Sequence, residues 1–329
     1  MDRGRLMSGR SRVVVTGKIP DAGLEMLQAS GHDVWAWGGP GPISRPDLLA
    51  SVHGADALVT LLTEKVDAEL LQAAGPQLKV VSNVAVGYNN IDVPACRDHG
   101  VIATNTPGVL TDATADIAMG LILMVTRRLA EGERVLRSGE PWQWGMFYML
   151  GTGIQGRQLG IVGMGQIGAA TARRAQAFGM TIAYSNRSEA DAELVSALDA
   201  TRMSMDELLA TSDIISLHCP YSPITHHLIG PEQLQAMKPS AYLINTARGP
   251  VVDEAALVDA LVSGQIAGAG LDVFENEPTI HPGLVPLDNA VIIPHLGSAT
   301  VETRTAMATL AATNALAVLR GEAAPNQIV

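Results

Sequence analysis

Three residues in the second half of the chain could share one reaction. They are Arg248 in Asn245-Thr246-Ala247-Arg248-Gly249, Glu277 in Glu275-Asn276-Glu277-Pro278, and His295 in Pro294-His295-Leu296-Gly297-Ser298-Ala299. A guanidinium offers a bidentate fork to a carboxylate and can polarise a carbonyl beside it. An imidazole can protonate the alkoxide that develops when such a carbonyl is reduced, provided a carboxylate keeps enough of it charged near neutral pH, and Glu277 is the candidate partner. Each has a plainer reading alone: a surface arginine, a turn glutamate before proline, a loop histidine. Each also falls at or just after the carboxyl end of an apolar run, where open α/β sheets bind ligands.

A fourth signal says what reduces the carbonyl. Between Arg157 and Ser188 an apolar run, Gln158-Leu159-Gly160-Ile161-Val162, leads into Gly163-Met164-Gly165-Gln166-Ile167-Gly168, then a helical stretch to Phe178, then a second apolar run from Met180 to Tyr184. Gly163 suits a tight turn, Gly165 a close backbone approach to a pyrophosphate, and Gly168 close packing of the new helix on the sheet. The free N–H groups of Gly165, Gln166, Ile167 and Gly168 and the positive helix end favour the anion. A dinucleotide site behind the three residues makes hydride transfer to a 2-oxo acid the joint reading.

The elements that must position these groups alternate along the chain. Strand-like runs at Arg12 to Val15, Asp33 to Trp35, Ala57 to Thr60, Lys79 to Asn83 and Val101 to Ala103 alternate with helical stretches at Asp21 to Ala29, Arg45 to Val52, Asp67 to Ala74 and Val93 to Asp98. A second series has strands at 158–162, 180–184, 213–217, 241–245, 267–271 and 290–292. This is an α/β chain with two parallel, doubly wound sheets. Asp112 to Arg137, apolar and free of proline, is expected as one long helix bridging two domains. The helical segment Thr300 to Arg320 comes too late for another crossover and is expected to return to the first domain. The expected organisation is thus a discontinuous domain of residues 1–108 with 297–329, and a dinucleotide-binding domain of 109–296.

Composition narrows the partners. With 329 residues, 47% hydrophobic and 17% charged, the chain exceeds one typical core. A net charge of −11 argues against a nucleic-acid surface, which needs clustered cations. Two distant cysteines, Cys96 and Cys219, fit a reducing cytoplasm better than a disulfide scaffold. No signal peptide or membrane span is legible, and the first ten residues read as a frayed end. His218 and Cys219 are adjacent potential ligands without further spaced partners, so no metal is expected.

Further motifs carry a resemblance: Val84-Ala85-Val86-Gly87-Tyr88-Asn89-Asn90-Ile91-Asp92, Leu217-His218-Cys219-Pro220 followed by Thr225, Asn245 to Val251, Gly270-Leu271-Asp272-Val273-Phe274, and Pro294 to Thr300. With the Gly163 turn, these make the chain similar over nearly its whole length to the D-isomer-specific 2-hydroxyacid dehydrogenases, and most to their glyoxylate/hydroxypyruvate reductase branch. The resemblance implies a flavodoxin-like substrate domain, a Rossmann-like dinucleotide domain and a cleft between them. It gives Arg248 the 2-oxo acid, His295 the acid/base role, and Glu277 the pairing with His295. It implies that Val86 and Gly87 offer N–H groups to the substrate carboxylate, with Leu62 lining a small pocket. His218, Cys219, Pro220 and Thr225 would line the nicotinamide side, with Thr246, Ala247 and Asp272 near its ring or ribose, and Thr114 and Gly297 also at the cofactor. A homodimer is implied, in which Trp142 or Trp144 either reaches the partner's site or packs beneath its own loop. Arg304 is either a second substrate cation or a surface charge.

Cofactor and substrate choice rest on few residues. NAD-specific sites place an acid at the end of the second nucleotide strand, which would repel a 2′-phosphate. Here that position reads Asn186-Arg187-Ser188, with no acid before Glu189, so NADP(H) is preferred and NAD(H) possible. Competing substrates within the family are hydroxyphenylpyruvate, D-lactate and phosphite. Phosphite-oxidising relatives carry a lysine where this chain has Val86, and pocket walls near Leu62, Trp144 and Phe147 are open to bulkier acids. The length leaves no room for the regulatory domain of many phosphoglycerate dehydrogenases. A corepressor-like NAD(H)-sensing protein is the alternative from another class.

Overall fold

The computed structural model describes residues 10–139 and 141–329. The frayed start expected for the first ten residues lies, through residue 9, outside the described residues. The chain divides into two compact units, one of residues up to Leu110 with Thr300–Val329, the other Thr111–Ala299.

The first unit runs β1 (Arg12–Val15), α1 (Asp21–Ala29), β2 (Asp33–Ala36), α2 (Arg45–Ser51), β3 (Ala57–Thr60), α3 (Ala68–Ala74), β4 (Val80–Asn83), α4 (Val93–Asp98) and β5 (Ile102–Thr104). Its strands are all parallel in the order β2-β1-β3-β4-β5, the flavodoxin-like winding. Central strands β3 and β4 are buried throughout, as apolar runs between two helical layers must be. Ser44, Asp67 and Asp92 start α2, α3 and α4 by accepting the N3 N–H. The final helix, Val301–Leu319, belongs to this unit and packs on α1 and β4. Gly23 makes that contact possible: a β-carbon there would lie 2.8 Å from the Ala308 backbone. The last residues add a feature the sequence pattern concealed. Ile328 N–H donates to Ala103 O at 2.7 Å and Ala103 N–H to Val329 O at 3.1 Å, so the chain end covers the open edge of β5.

The second unit runs α5 (Thr111–Thr126), α6 (Leu129–Ser138), β6 (Gln158–Val162), α7 (Gln166–Ala177), β7 (Thr181–Ser185), α8 (Ala192–Ala197), β8 (Thr201–Arg202), α9 (Met205–Thr211), β9 (Ile214–Leu217), α10 (Pro231–Ala236), β10 (Tyr242–Asn245), α11 (Glu254–Ser263), β11 (Gly268–Leu271) and β12 (Ala290–Ile292). Its parallel order is β12-β11-β10-β9-β6-β7-β8, so the winding reverses between β6 and β9. That reversal creates the crevice at which such sheets bind nucleotides. The two-residue edge strand β8 was not anticipated from its sequence, being exposed and lacking an apolar run.

The single helix expected over 112–137 is two. Arg128 adopts a left-handed conformation (φ 53°), its guanidinium held by both oxygens of Glu131. The Thr126 carbonyl, which a continuing helix would use, accepts instead from Thr152 N–H at 2.7 Å. Without proline or glycine at the break, periodicity could not reveal it.

Candidate active site

Arg248, Glu277 and His295 follow β10, β11 and β12, three adjacent strands on one side of the reversal. Register alone therefore puts them at one rim. Asn245 folds its turn on itself: its Oδ1 accepts Ala247 N–H and its Nδ2 donates to Arg248 O, both at 3.0 Å. Arg248 Nη1 donates to Ala247 O at 2.7 Å. Burial pushes this guanidinium below its ordinary pKa, and Glu277 acts in the opposite sense.

Glu277 Oε2 lies 2.7 Å from His295 Nδ1, while Phe274 N–H donates to Oε1 at 3.0 Å. Burial alone would raise this carboxyl. The His295 hydrogen bond and charge, the Phe274 N–H and the Arg248 charge outweigh burial and hold it below the usual carboxylate range. An ionised Glu277 makes His295 Nδ1 the donor and leaves Nε2 as the atom that can exchange a proton. His295 sits at φ 50°, a left-handed backbone that Asp272 secures. The Asp272 carbonyl accepts His295 N–H at 2.9 Å, and its carboxylate accepts Leu296 and Gly297 N–H at 2.5 and 2.7 Å. Burial raises the Asp272 carboxyl, opposed mainly by the Leu296 N–H. Both Asp272 oxygens thus serve the 295–297 loop, and Thr114 Oγ1 donates to Gly297 O at 3.1 Å from α5.

The glycine turn leaves β6 at the reversal. Gly163 has φ 100°, and a β-carbon there would meet Cys219 N at 2.7 Å and His218 C at 2.8 Å. A β-carbon on Gly168 would fall on the Gly163 carbonyl. On Gly165 it would meet nothing within 4 Å, and no side chain caps α7 there. Open space over an uncapped helix N-terminus fits a pyrophosphate. Two buried polar atoms at the neighbouring strand ends, His218 Nδ1 after β9 and Thr246 Oγ1 after β10, have no partner among the described residues, as groups awaiting a ligand would. Burial pushes His218 down to about 4, so its ring is neutral, with Nε2 2.8 Å from Ser216 Oγ. Burial pushes the Cys219 thiol up to about 11. Thr225 Oγ1 closes its own loop on Pro220 O at 2.8 Å.

At the end of β7, Asn186 Oδ1 accepts Met164 N–H at 2.6 Å and so braces the glycine turn. Arg187 and Ser188 are exposed. Arg202 on β8 brings a second guanidinium to this loop, 3.3 Å from Asn186 O and 3.4 Å from Glu189. Its sequence neighbourhood carried no signal for that placement.

Within the first unit, the segment after β4 is tied down by its carbonyls. Asn105 Nδ2 donates to Val86 O at 2.7 Å and Asn83 Nδ2 to Gly87 O at 3.1 Å, leaving the Val86 and Gly87 N–H groups without partners among the described residues. Asn90 Nδ2 reaches Leu61 O and Glu64 O at 3.2 and 3.0 Å, fixing the loop that presents half-exposed Leu62. Asn83 and Asn105 were not singled out from sequence, and nothing in their spacing shows that their side chains hold the Gly87 and Val86 carbonyls. Trp142 and Trp144 do not pack beneath their loop: they are 51% and 76% exposed, with Trp142 stacked on Tyr148. Arg304 is exposed on the final helix.

Residues 119–297 match the family model of the D-isomer specific 2-hydroxyacid dehydrogenase NAD binding domain. The chain is 47% identical to the glyoxylate reductase of Thermococcus litoralis over 327 residues, covering 97% of each chain. The chain belongs to the D-isomer specific 2-hydroxyacid dehydrogenases, enzymes that bind a nicotinamide dinucleotide. Within that family its similarity runs to the glyoxylate reductase branch. A solved glyoxylate reductase from Paecilomyes thermophila superposes with a TM-score of 0.87 at 36% identity, covering 97% of this chain and 98% of that one. An NADPH-dependent glyoxylate/hydroxypyruvate reductase from Sinorhizobium meliloti, solved with NADP and malonate, gives 0.83 at 34% identity and coverage of 98% and 97%. No helix among the described residues is long and apolar enough to cross a membrane.

Proposed function

We propose that this protein is an NADPH-preferring reductase of small 2-oxo acids, converting glyoxylate to glycolate and hydroxypyruvate to D-glycerate. The observation that carries the reading is the pair of His295 Nδ1 and Glu277 Oε2 at 2.7 Å, with Arg248 acting on the same glutamate. The names of the relatives support the substrate class, and Arg187 at the end of β7 supports the cofactor preference.

Glycine turn residues Gly163 to Gly168 would hold the pyrophosphate, with Asn186, Arg187 and Ser188 at the adenosine ribose. His218, Cys219, Pro220, Thr225, Thr246, Ala247 and Asp272, with Thr114 and Gly297, would surround the nicotinamide half. When bound, the reduced nicotinamide supplies the hydride. Arg248 binds the 2-oxo acid and draws electron density from its carbonyl. The Val86 and Gly87 N–H groups bind the substrate carboxylate. His295 Nε2 delivers the proton to the alkoxide oxygen while Glu277 stabilises the imidazolium that carries it. The exposed apolar run Trp144, Met146, Phe147 and Leu150 supports a homodimer.

Glyoxylate, hydroxypyruvate, pyruvate and hydroxyphenylpyruvate, each with NADPH and with NADH, would be assayed by nicotinamide absorbance. Fastest turnover of the two small acids with NADPH is expected, and His295→Gln should abolish most of it while NADPH still binds. Silence across the panel, or normal turnover of His295→Gln, would overturn the proposal.

A further inference from the structure

Behind the rim lies a second acid and histidine cluster that the reaction above does not use. Glu275, two residues before Glu277, sits where the 274–277 loop crosses the turn after Arg248. That crossing is backbone on backbone, because a β-carbon on Gly249 would coincide with the Phe274 carbonyl. Glu275 and Glu254, the first residue of α11, bond reciprocally across it. Glu275 N–H donates to Glu254 Oε1 at 2.5 Å, and Glu254 N–H to Glu275 Oε2 at 3.4 Å. The remaining Glu275 oxygen, Oε1, accepts from His227 Nε2 at 2.5 Å.

His227 is itself pinned to the turn after Arg248. Its N–H donates to Pro250 O at 2.8 Å, its φ is 49°, its ring stacks on His226 at 4.0 Å, and its Nδ1 lies 3.8 Å from Asp253 Oδ2. Tyr221 packs edge-on against His226. Helix α11 does not need this arrangement for its start, since Asp253 caps it on Ala256 N–H. The cluster instead joins two catalytic loops to each other.

We infer that Glu275, with His227 and Glu254, is a positioning group for the reaction: it locks the loop bearing Glu277 onto the turn bearing Arg248. The inference rests on Glu277 and His295 carrying the proton transfer. The Glu275 carboxylate accepts from Glu254 N–H and faces the His227 ring, and an amide there keeps at best two neutral hydrogen bonds, weaker than the charge-assisted ones they replace. The Glu277 carboxylate then loses its fixed distance to His295, and proton delivery slows, while the glycine turn after β6 and the Asn186–Ser188 segment after β7, which hold the pyrophosphate and adenosine end, are untouched.

The test uses Glu275→Gln, His227→Asn and the double variant in the full chain. Asparagine tolerates the left-handed backbone at 227 but is too short to reach Glu275. Each single variant should lower kcat about tenfold or more with a much smaller change in NADPH affinity, since loosened geometry at reacting groups acts on the chemical step. The solvent deuterium isotope effect on kcat should rise, because proton delivery then limits turnover more strongly. The double variant should lose no more than the worse single one. Unaltered kcat and solvent isotope effect in His227→Asn, additive losses in the double variant, or losses that track melting temperature would overturn the inference. Should Glu275→Gln fail to fold, His227→Asn decides alone. If His295→Gln is inactive while these variants are normal, the proton-transfer assignment stands and only the positioning role falls.

Discussion

Replacing Glu277 by glutamine keeps the size of the side chain and removes its charge. In the structure one oxygen accepts from Phe274 N–H at 3.0 Å and the other pairs with His295 Nδ1 at 2.7 Å. A hydrogen bond to a charged partner contributes about 1.5–3 kcal/mol against about 1 for a neutral one, so an imidazolium loses about 0.5–2 kcal/mol of support. The amide also has one oxygen for two donors, and facing its NH₂ to either leaves a conflict of about 1–3 kcal/mol. The sum, about 1.5–5 kcal/mol, corresponds to a loss of about tenfold to several thousand-fold in rate. The assay is kcat/KM for glyoxylate at saturating NADPH, with NADPH affinity measured in parallel by fluorescence. A variant within about threefold of the unaltered enzyme, with normal NADPH affinity, would refute the reasoning. A pH series gives an independent check. Because the folded Glu277 carboxyl lies below the usual range, its contribution to stability is complete above that range and is lost only as pH falls through the depressed value. The stability gap between enzyme and variant in urea unfolding should therefore hold at neutral pH and close in acid.

Two further perturbations follow from the dinucleotide half. Arg187→Ala should weaken NADPH about five- to tenfold, less than a shielded charge-assisted pair would give because the side chain is solvent-screened. NADH should be unaffected, and equal losses for both cofactors would remove the phosphate role. Gly165 and Gly168 should separate binding from folding. Gly165→Ala meets open space at φ −83°, so it should melt normally yet lose dinucleotide affinity. Gly168→Ala collides with the Gly163 carbonyl and should lose about 1–3 kcal/mol of stability. Normal NADPH affinity in the first or normal melting in the second would contradict these glycine roles.

Much of the fold was legible because its strands are short apolar runs between helices with their own caps. The bounds Ala57–Thr60, Val93–Asp98 and Gln158–Val162 coincide with the sequence pattern. Local signals failed where distant backbone decides: the break at Arg128 depends on Thr152, and the short strand β8 on its pairing with β7. The chain end beside β5 is likewise a tertiary fact.

By itself the sequence determined the types of group available: a guanidinium, a carboxylate and an imidazole after successive strands, and glycines where backbone must approach backbone or phosphate. These are properties of residue and spacing, which any parallel α/β winding carries to one rim. Only the tertiary structure decided which donors meet which acceptors. It gave the two Asp272 oxygens to Leu296 and Gly297, the Asn186 amide to Met164, and the Glu275 carboxylate to Glu254 and His227. Those pairings join residues up to 48 positions apart, and a hydrogen bond is specified by ångströms and angles that no linear spacing encodes.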